Sequence, residues 1–276
     1  MRNFELNGKI ALALAATAAT LGCLPTASAS LLVDYKAANY NPTTGIWLDS
    51  SGNGDNAAVA TTFSSKPTLT ANATPNGSSA VTFNGSTGFV MTTKIASSSG
   101  YTAFAFLEPA TTSGDQGIVG GDSGNFYYRL ANGQQAALVD QARDLANGSA
   151  VLPTSSFSNI NVASDGTNDG TGTTFRFNGA ADGSAGASDT FANGVYTVGY
   201  GIDTGFGTGG AGAKEFFTGQ IAEIQVYSGV LTTAQRQAVE QSFINAYVTP
   251  EPATLSLMTV FGAGLLLRNC RRRGPA

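Results

Sequence analysis

Residues 217–237, FTGQIAEIQVYSGVLTTAQRQ, decide the fold class. From Gln220 to Tyr227 the stretch is rich in apolar and β-branched residues that mostly alternate with polar ones, which is typical of a β-strand. The alternation slips at Glu223 and Ile224, so the sequence predicts a β-bulge there. The stretch therefore predicts a sheet protein with a well-defined late strand.

A helix start signal follows this strand. Thr232 with Gln235 three residues later forms the capping-box pattern, in which each side chain meets a backbone donor that the helix leaves unpaired. Val239, Phe243 and Tyr247 then recur at helical spacing as one apolar stripe. We expect one short helix that ends before the next proline and packs this stripe on the edge of the sheet structure.

The rest of the central chain consists of short apolar-alternating runs separated by clusters of Gly, Asn, Asp and Ser. Such runs, rich in β-branched and aromatic residues, predict strands, and their number predicts an all-β sandwich or jelly roll. Gly-rich segments such as 180–189 are predicted to be surface loops. The clearest strand-like runs are 80–84, 88–92, 101–107, 125–130, 173–178 and 194–200.

Three stretches together resemble the concanavalin A-like, laminin-G-like jelly-roll family. They are 32–39 with 47–57 (LVDYKAAN and WLDSSGNGDNA), 80–90 (AVTFNGSTGFV) and 217–237. In that family a late G-x-I-x-E-(I/V)-x-(I/V)-Y strand leads into a short helix, as here. The resemblance implies a jelly-roll β-sandwich over residues 30–249. It also implies binding of carbohydrate or protein partners, through Ca²⁺ in some members, or glycosidase activity in others.

The N-terminus has the layout of a secretory signal peptide. Arg2 and Lys9 flank a short first region, residues 10–24 are mostly Ala and Leu, and Ala-Ser-Ala at 27–29 forms a small-x-small cleavage site. We predict a signal peptide over residues 1–29. A lipoprotein cysteine at Cys23 is the weaker alternative.

The C-terminus carries Pro250-Glu251-Pro252, an apolar run at 253–267 and the arginines Arg268, Arg271, Arg272 and Arg273. These three parts, in this order, resemble the PEP-CTERM sorting signal of Gram-negative bacteria, which implies processing by an exosortase. As a helix the apolar run reaches about 22 Å, short of the roughly 30 Å hydrocarbon core. Snorkelling of Arg268 and local thinning of the bilayer would cover the difference.

The arginines after the apolar run predict a cytoplasmic C-terminus, and hence a body that faces outward. Residues 250–276 thus predict transient anchoring of the protein in the inner membrane. Release to the cell surface or the extracellular polysaccharide matrix of a biofilm would follow. A transmembrane anchor that is never cut is the alternative.

Composition excludes several kinds of chemistry. The chain has no histidine, and both cysteines lie in the terminal segments, which removes Ser-His-Asp and Cys-His catalysis and histidine-ligated zinc from the body. Six of the 14 basic and two of the 18 acidic residues are terminal, so the body has a net charge of −8. This charge disfavours nucleic acid as a partner and favours cations such as Ca²⁺.

One oxygen-rich loop is a candidate calcium site. Asp49, Asn53 and Asp55 supply carboxylate and amide oxygens of the kind that Ca²⁺ prefers. The same residue types form β-turns without any metal, and this is the alternative. A second cluster at 165–169 carries the same two interpretations.

Four residues are candidates for ligand binding. The aromatic rings of Trp47, Tyr127 and Tyr128 can stack on the apolar face of a sugar, although core packing explains such residues as well. Glu223 can orient a loop or ligate a cation, or it is a solvent-facing acid on an edge strand.

No catalytic residue is predicted. A retaining glycosidase needs two carboxyl groups about 5 Å apart, and the E-x-D-x-x-E pattern of the family's catalytic members is absent. We therefore predict a non-catalytic carbohydrate- or protein-binding module. The alternatives are a polysaccharide hydrolase that uses Glu215 and Glu223, and a structural matrix protein that assembles with copies of itself.

Overall fold

The computed structural model describes residues 29–92, 95–97, 100–121, 127–139, 144–166, 172–185, 191–194, 196–203 and 213–249. The predicted sorting segment and all but the last residue of the predicted signal peptide lie outside these ranges. Within them, no helix has the length and apolar character needed to cross a membrane.

The described ranges form 20 strands and one α-helix. Helix α1 covers Thr233–Phe243 and continues into a π-helical turn at Ile244–Val248. The strands are β1 Leu31–Asn41, β2 Ile46–Asp49, β3 Ala57–Val59, β4 Thr68–Thr70, β5 Ala80–Asn84, β6 Phe89–Met91, β7 Ile95–Ser97, β8 Tyr101–Pro109, β9 Asp115–Gly121, β10 Tyr127–Ala131, β11 Gln134–Val139, β12 Asp144–Val151, β13 Ser158–Ser164, β14 Thr173–Phe177, β15 Ala180–Ala185, β16 Phe191–Gly194, β17 Tyr196–Val198, β18 Tyr200–Asp203, β19 Ala213–Phe216 and β20 Thr218–Ser228.

Fourteen strands follow one another along a single hydrogen-bonded path, in the order β12-β11-β10-β9-β17-β6-β3-β2-β1-β20-β8-β13-β14-β15. β5 pairs with β20, and β4 pairs with β5. Both halves of the path contribute side chains to one hydrophobic core. The sheet therefore curls around its own apolar face as a jelly-roll sandwich, which confirms the predicted fold class. The segment at 180–189, predicted to be a loop, instead begins with strand β15.

Strand β20 lies in the middle of this path. It pairs with β8 along one edge and with β1 and β5 along the other. Ile221, Ile224 and Val226 point into the core. The register against β8 shifts between Ile221 and Glu223, so Ala222 is an extra residue and the predicted bulge is confirmed close to its expected place. Ala222 and Glu223 both face away from the core.

Helix α1 covers this outer face of the sheet and does not lie at its edge, which corrects the predicted position. The outer side chains of β8, Phe104 and Phe106, are apolar and require a cover. Phe243 meets both rings edge-on, and Tyr247 stacks on Phe106 with ring centroids 5.2 Å apart. Val239, expected to be buried with Phe243 and Tyr247, is only half-buried.

Two charged residues complete the buried face of α1. Arg236 and Glu240 are each less than 9 % exposed and form an ion pair at 2.5 Å. Asn161 of β13 donates a further hydrogen bond to the Glu240 carboxylate at 3.0 Å. The predicted capping box of Thr232 and Gln235 is present at the start of the helix. The sequence pattern missed the ion pair because charged residues on a helix usually mark its solvated side.

Phe243→Ala is expected to lower the free energy of unfolding by about 3–5 kcal/mol, because it leaves a cavity between α1 and the sheet. Chemical denaturation followed by circular dichroism measures this change. Ile244→Ala, at a neighbouring side chain that is 40 % exposed, is the control and should cost less than about 1 kcal/mol. Equal losses in the two variants would show that the helix does not depend on this contact.

Candidate functional site

The loop proposed for calcium is organised by the Asp49 carboxylate. Its Oδ1 accepts hydrogen bonds from the backbone N–H groups of Asp34 (2.8 Å) and Ser51 (2.9 Å). Its Oδ2 accepts from the Ser51 hydroxyl (2.6 Å) and the Asp55 N–H (3.2 Å). Burial raises the pKa of the Asp49 carboxyl, but these hydrogen bonds outweigh burial and hold the pKa below its usual range.

The other two calcium candidates belong to the same turn. The Asn53 amide donates to the carbonyls of Leu31 and Leu32 on β1, while burial and the nearby Asp49 carboxylate raise the pKa of Asp55. No group of three or more His, Cys, Asp or Glu side chains is placed to hold a metal ion in the described part of the chain. These contacts are those of a hydrogen-bonded turn, and calcium binding at this loop stays a prediction.

The aromatic ligand candidates have a core role instead. Trp47 is 0 % exposed, packs against Tyr35 and Phe89, and donates its indole N–H to the Lys36 carbonyl at 2.7 Å. A ring enclosed in this way has no face free for a sugar, which corrects the predicted stacking role.

Tyr128 requires the same correction. It is 0 % exposed, and its hydroxyl donates to Gln135 Oε1 at 2.6 Å inside the sandwich. Burial raises the pKa of Tyr128 well above its ordinary value. The side chain of Tyr127 lies outside the described residues, so its predicted role stays a prediction.

Glu223 is neither on an edge strand nor exposed to solvent, which corrects that interpretation. It is 2 % exposed on β20 beneath the π-helical turn. The Tyr247 hydroxyl donates to its Oε2 and the Gln225 amide to its Oε1, both at 2.5 Å. Gln225 in turn accepts a hydrogen bond from the Tyr227 hydroxyl at 2.7 Å.

A second carboxyl group, that of Asp34 on β1, interacts with Glu223 in this buried network. Asp34 Oδ2 pairs with Lys36 Nζ at 3.1 Å, whereas its buried Oδ1 has no hydrogen-bond partner among the described residues. Burial raises the pKa of the Glu223 carboxyl to about 7. The Asp34 carboxyl adds to the rise, while the Tyr247 hydrogen bond and the Lys36 charge oppose it.

Glu215, the other acid named for a hydrolase, is held in a different ion pair. Arg129 Nη1 contacts its two carboxylate oxygens at 2.7 and 2.8 Å and also contacts Asp115 Oδ2 at 2.7 Å. Arg129 is itself buried. The arrangement ties β9 and β10 to the β18–β19 hairpin, so the fold gives both named acids structural partners.

An open cleft of about 430 Å³ lies between β12 and the pair β14–β15, where the two ends of the strand path meet. Its lining combines apolar surface, to which Phe175 and Ala181 belong, with hydroxyl, amide, guanidinium and carboxylate groups. Its polar side chains are Asn147, Ser149, Thr174, Arg176, Asp182 and Ser184.

Asp182 builds the floor of this cleft. It is the extra residue in a register shift between β14 and β15, and it is 3 % exposed. Its Oδ1 accepts from the N–H groups of Ser149 (3.0 Å) and Ala150 (2.6 Å) and from the Ser149 hydroxyl (3.1 Å). Its Oδ2 accepts from Gln135 Nε2 at 2.7 Å. The carboxylate thus joins the first and last strands of the path.

The close approach at this junction requires a glycine. A Cβ atom on Gly148 would lie 2.3 Å from Asp182 Oδ2. Sequence reasoning missed Asp182 because the segment around it, rich in small residues, has the composition of a loop. A strand with an Asp at a bulge carries no period-2 pattern that could reveal it.

The sequence of the chain matches a known family. Residues 75–235 match the family Laminin_G_3, described as the concanavalin A-like lectin/glucanases superfamily, and the chain belongs to this family. No curated protein matches the chain in sequence.

Solved structures share the fold at low sequence identity. One is domain 4 of AbnA, a GH43 extracellular arabinanase from Geobacillus stearothermophilus, in complex with arabinotriose. It has a TM-score of 0.55 and 19 % identity, and the match covers 78 % of this chain and all of that chain. The receptor-binding domain of botulinum neurotoxin type G has a TM-score of 0.51 and 11 % identity, over 77 % of this chain and 51 % of the toxin chain.

A third structure of the same shape concerns botulinum neurotoxin type C, whose cell entry depends on interaction with two ganglioside molecules. It has a TM-score of 0.51 and 8 % identity over 77 % of this chain. This chain spans about half the length of the toxin chains. At these identities the likeness establishes the fold alone.

The raised pKa of Glu223 predicts that the stability of the fold depends on pH. The unfolded chain loses the Glu223 proton near the ordinary pKa of 4.5, whereas the folded chain keeps it to about pH 7. The free energy of unfolding should therefore fall by about 3 kcal/mol as the pH rises through this window and then level off. Denaturation curves from pH 4 to pH 8 measure the fall, which Glu223→Gln should remove. An unchanged slope in Glu223→Gln would contradict the assignment.

Asp182→Asn is expected to lower the free energy of unfolding by about 2–4 kcal/mol. The substitution replaces one hydrogen-bond-accepting oxygen by an amide N–H₂, which would then face other donors. Thermal and denaturant unfolding measure the loss. Asp115→Asn is the matched control. It changes the same chemical group at a side chain that is 37 % exposed, where a loss below about 1 kcal/mol is expected. Similar losses in both variants would mean that Asp182 does not hold the strand ends together.

Proposed function

We propose that this chain is a non-catalytic carbohydrate-binding module, and that the cleft between β12 and β14–β15 is its binding site. The observation that carries the proposal is the open cleft itself. Its size lies in the range usual for ligand pockets, and its lining of hydroxyl, amide and guanidinium groups matches the hydrogen-bonding groups of a saccharide. A protein surface is the second class of partner that such a module can bind.

The placement of the acidic groups supports a binding role over hydrolysis. Glu223 lies beneath Tyr247 with 2 % exposure, and Glu215 is held by Arg129. Asp182, the carboxylate of the cleft, already accepts four hydrogen bonds. A retaining glycosidase needs a pair of carboxyl groups that reach the substrate. A hydrolase remains the alternative function, as does a matrix protein that assembles with itself.

The structural neighbours support a saccharide as the first class of ligand to test. The arabinanase domain was solved with arabinotriose, and one toxin structure concerns gangliosides. Another toxin structure contains synaptotagmin II, a protein partner. Binding of similar ligands by this chain is part of the proposal.

The proposed location is the cell surface or the extracellular polysaccharide matrix. The predicted signal peptide and the PEP-CTERM pattern at 250–276 support export, transient anchoring in the inner membrane and processing by an exosortase. Val248 and Thr249, which end the described chain, are exposed. A sorting segment that follows them would leave the domain at its surface, where a membrane protease can reach it.

A glycan array probed with the purified full-length protein tests the binding function. We expect binding to at least one class of saccharide, and we expect Ser184→Trp, which fills the cleft, to weaken it at least tenfold. Thr43→Trp, at an exposed turn between β1 and β2, is the matched control and should leave binding unchanged. Parallel arrays with Ca²⁺ and with a chelator test the calcium prediction.

Three outcomes would contradict the proposal. Absence of binding to every saccharide would contradict the proposed function. If Ser184→Trp bound as tightly as the unsubstituted protein, the binding site would lie outside the cleft. Cleavage of a bound polysaccharide, lost in Glu223→Gln or Glu215→Gln, would favour the hydrolase. Concentration-dependent assembly without any ligand, measured by analytical ultracentrifugation, would favour the matrix protein.

A further inference from the structure

The cleft contains an arginine that differs from the other arginines of the described chain. Arg129 and Arg236 are buried, and each contacts at least one carboxylate at 2.7 Å or less. Arg176 is half-buried and lines the cleft. Across the part of the chain that the structure describes, its side chain forms no ion pair and donates no hydrogen bond.

The absence of an ion pair is unexpected in an acidic body. Between the terminal segments the acidic residues outnumber the basic ones by 16 to 8, so carboxylates are plentiful as partners. Asp182 is the other charged group of the cleft, but its oxygens already accept hydrogen bonds from Ser149, Ala150 and Gln135. The charge that a ligand in the cleft can reach is therefore the guanidinium of Arg176.

The strand pattern explains why Arg176 points into the cleft. On β14, Thr173 and Phe175 are buried, while the more exposed Thr174 and Arg176 alternate with them on the opposite face. Both of these polar residues line the cleft, to which Phe175 also contributes. The register shift between Phe175 and Arg176 bends the pairing with β15 at this point. Arg176 is thus held on a paired strand and not on a mobile loop, which reduces the entropy lost on binding.

The chemistry of the lining indicates a class of ligand. A guanidinium group presents two parallel N–H donors that match the two oxygens of a carboxylate. The Thr174 and Ser184 hydroxyls and the Asn147 amide nearby are suited to sugar hydroxyl groups. Resting on the proposed function, we propose that the cleft selects saccharides that carry a carboxylate, namely uronic acid residues, and that Arg176 binds the carboxylate.

The test compares two uronate polymers, polygalacturonate and alginate, with their carboxyl-reduced forms, using the full-length protein and affinity electrophoresis. We expect at least one uronate polymer to bind about tenfold more tightly than its reduced form. Arg176→Gln should abolish this difference, and Arg176→Lys should restore only part of it, because an ammonium lacks the planar pair of donors. Thermal unfolding of each variant establishes that it is folded.

Lys66→Gln is the matched control, since it removes the same charge at a lysine whose Nζ contacts the Thr43 carbonyl, away from the cleft. It should leave the preference for uronate intact. Dextran sulfate is a further probe, and tighter binding to it than to both uronate polymers would overturn the carboxylate assignment. Equal weakening by Lys66→Gln and Arg176→Gln would overturn it too, because it would indicate general charge attraction.

The two proposals fail in distinguishable ways. If the reduced and the uronate polymers bind equally well and Arg176→Gln changes neither, selection of the carboxylate is overturned while carbohydrate binding stands. If no saccharide of either kind binds, on the array or in the gel, carbohydrate binding itself is overturned.

Discussion

Both faces of strand β20 are buried, and the rest of the sandwich is arranged around this constraint. Ile221, Ile224 and Val226 fill the core, while the bulge at Ala222 places that residue and Glu223 together under the C-terminal turn. Because β1, β5 and β8 all pair with this strand, its position sets theirs. The outer face then requires a cover, and helix α1 supplies it with aromatic contacts to β8.

The buried charges are the other consequence of this architecture. A body without a disulfide has to link distant strands through packing and polar contacts, and here several carboxylates serve as links. Asp182 joins the two ends of the strand path, Glu240 connects the helix to β13, and Glu215 connects a hairpin to β10 through Arg129. Each carboxylate is matched by donors, as buried charges require. Glu223 differs from these, because burial, and to a smaller extent the Asp34 carboxyl, raise its pKa.

This use of the acids bears on function. Glu215 and Glu223, the acids considered for a hydrolase, lie inside structural networks, whereas the open cleft is lined by neutral polar groups, apolar surface, Arg176 and the hydrogen-bonded Asp182 carboxylate. Its floor is Asp182, the same residue that closes the sandwich, so the cleft exists because the strand path ends there. Side chains held on paired strands lose little conformational freedom on binding, which is consistent with the proposed binding role.

The class of fold, the β20 strand with its bulge and the capping box at Thr232 can all be predicted from the amino-acid sequence, because these depend on residues a few positions apart. The roles of Trp47, Glu223 and Asp182 emerge only in the folded chain. Burial and partners at these positions arise from strands far apart in the chain, and local periodicity carries no information on long-range pairing. The cleft could not be predicted for the same reason, because its lining comes from three strands that meet only when the sheet closes.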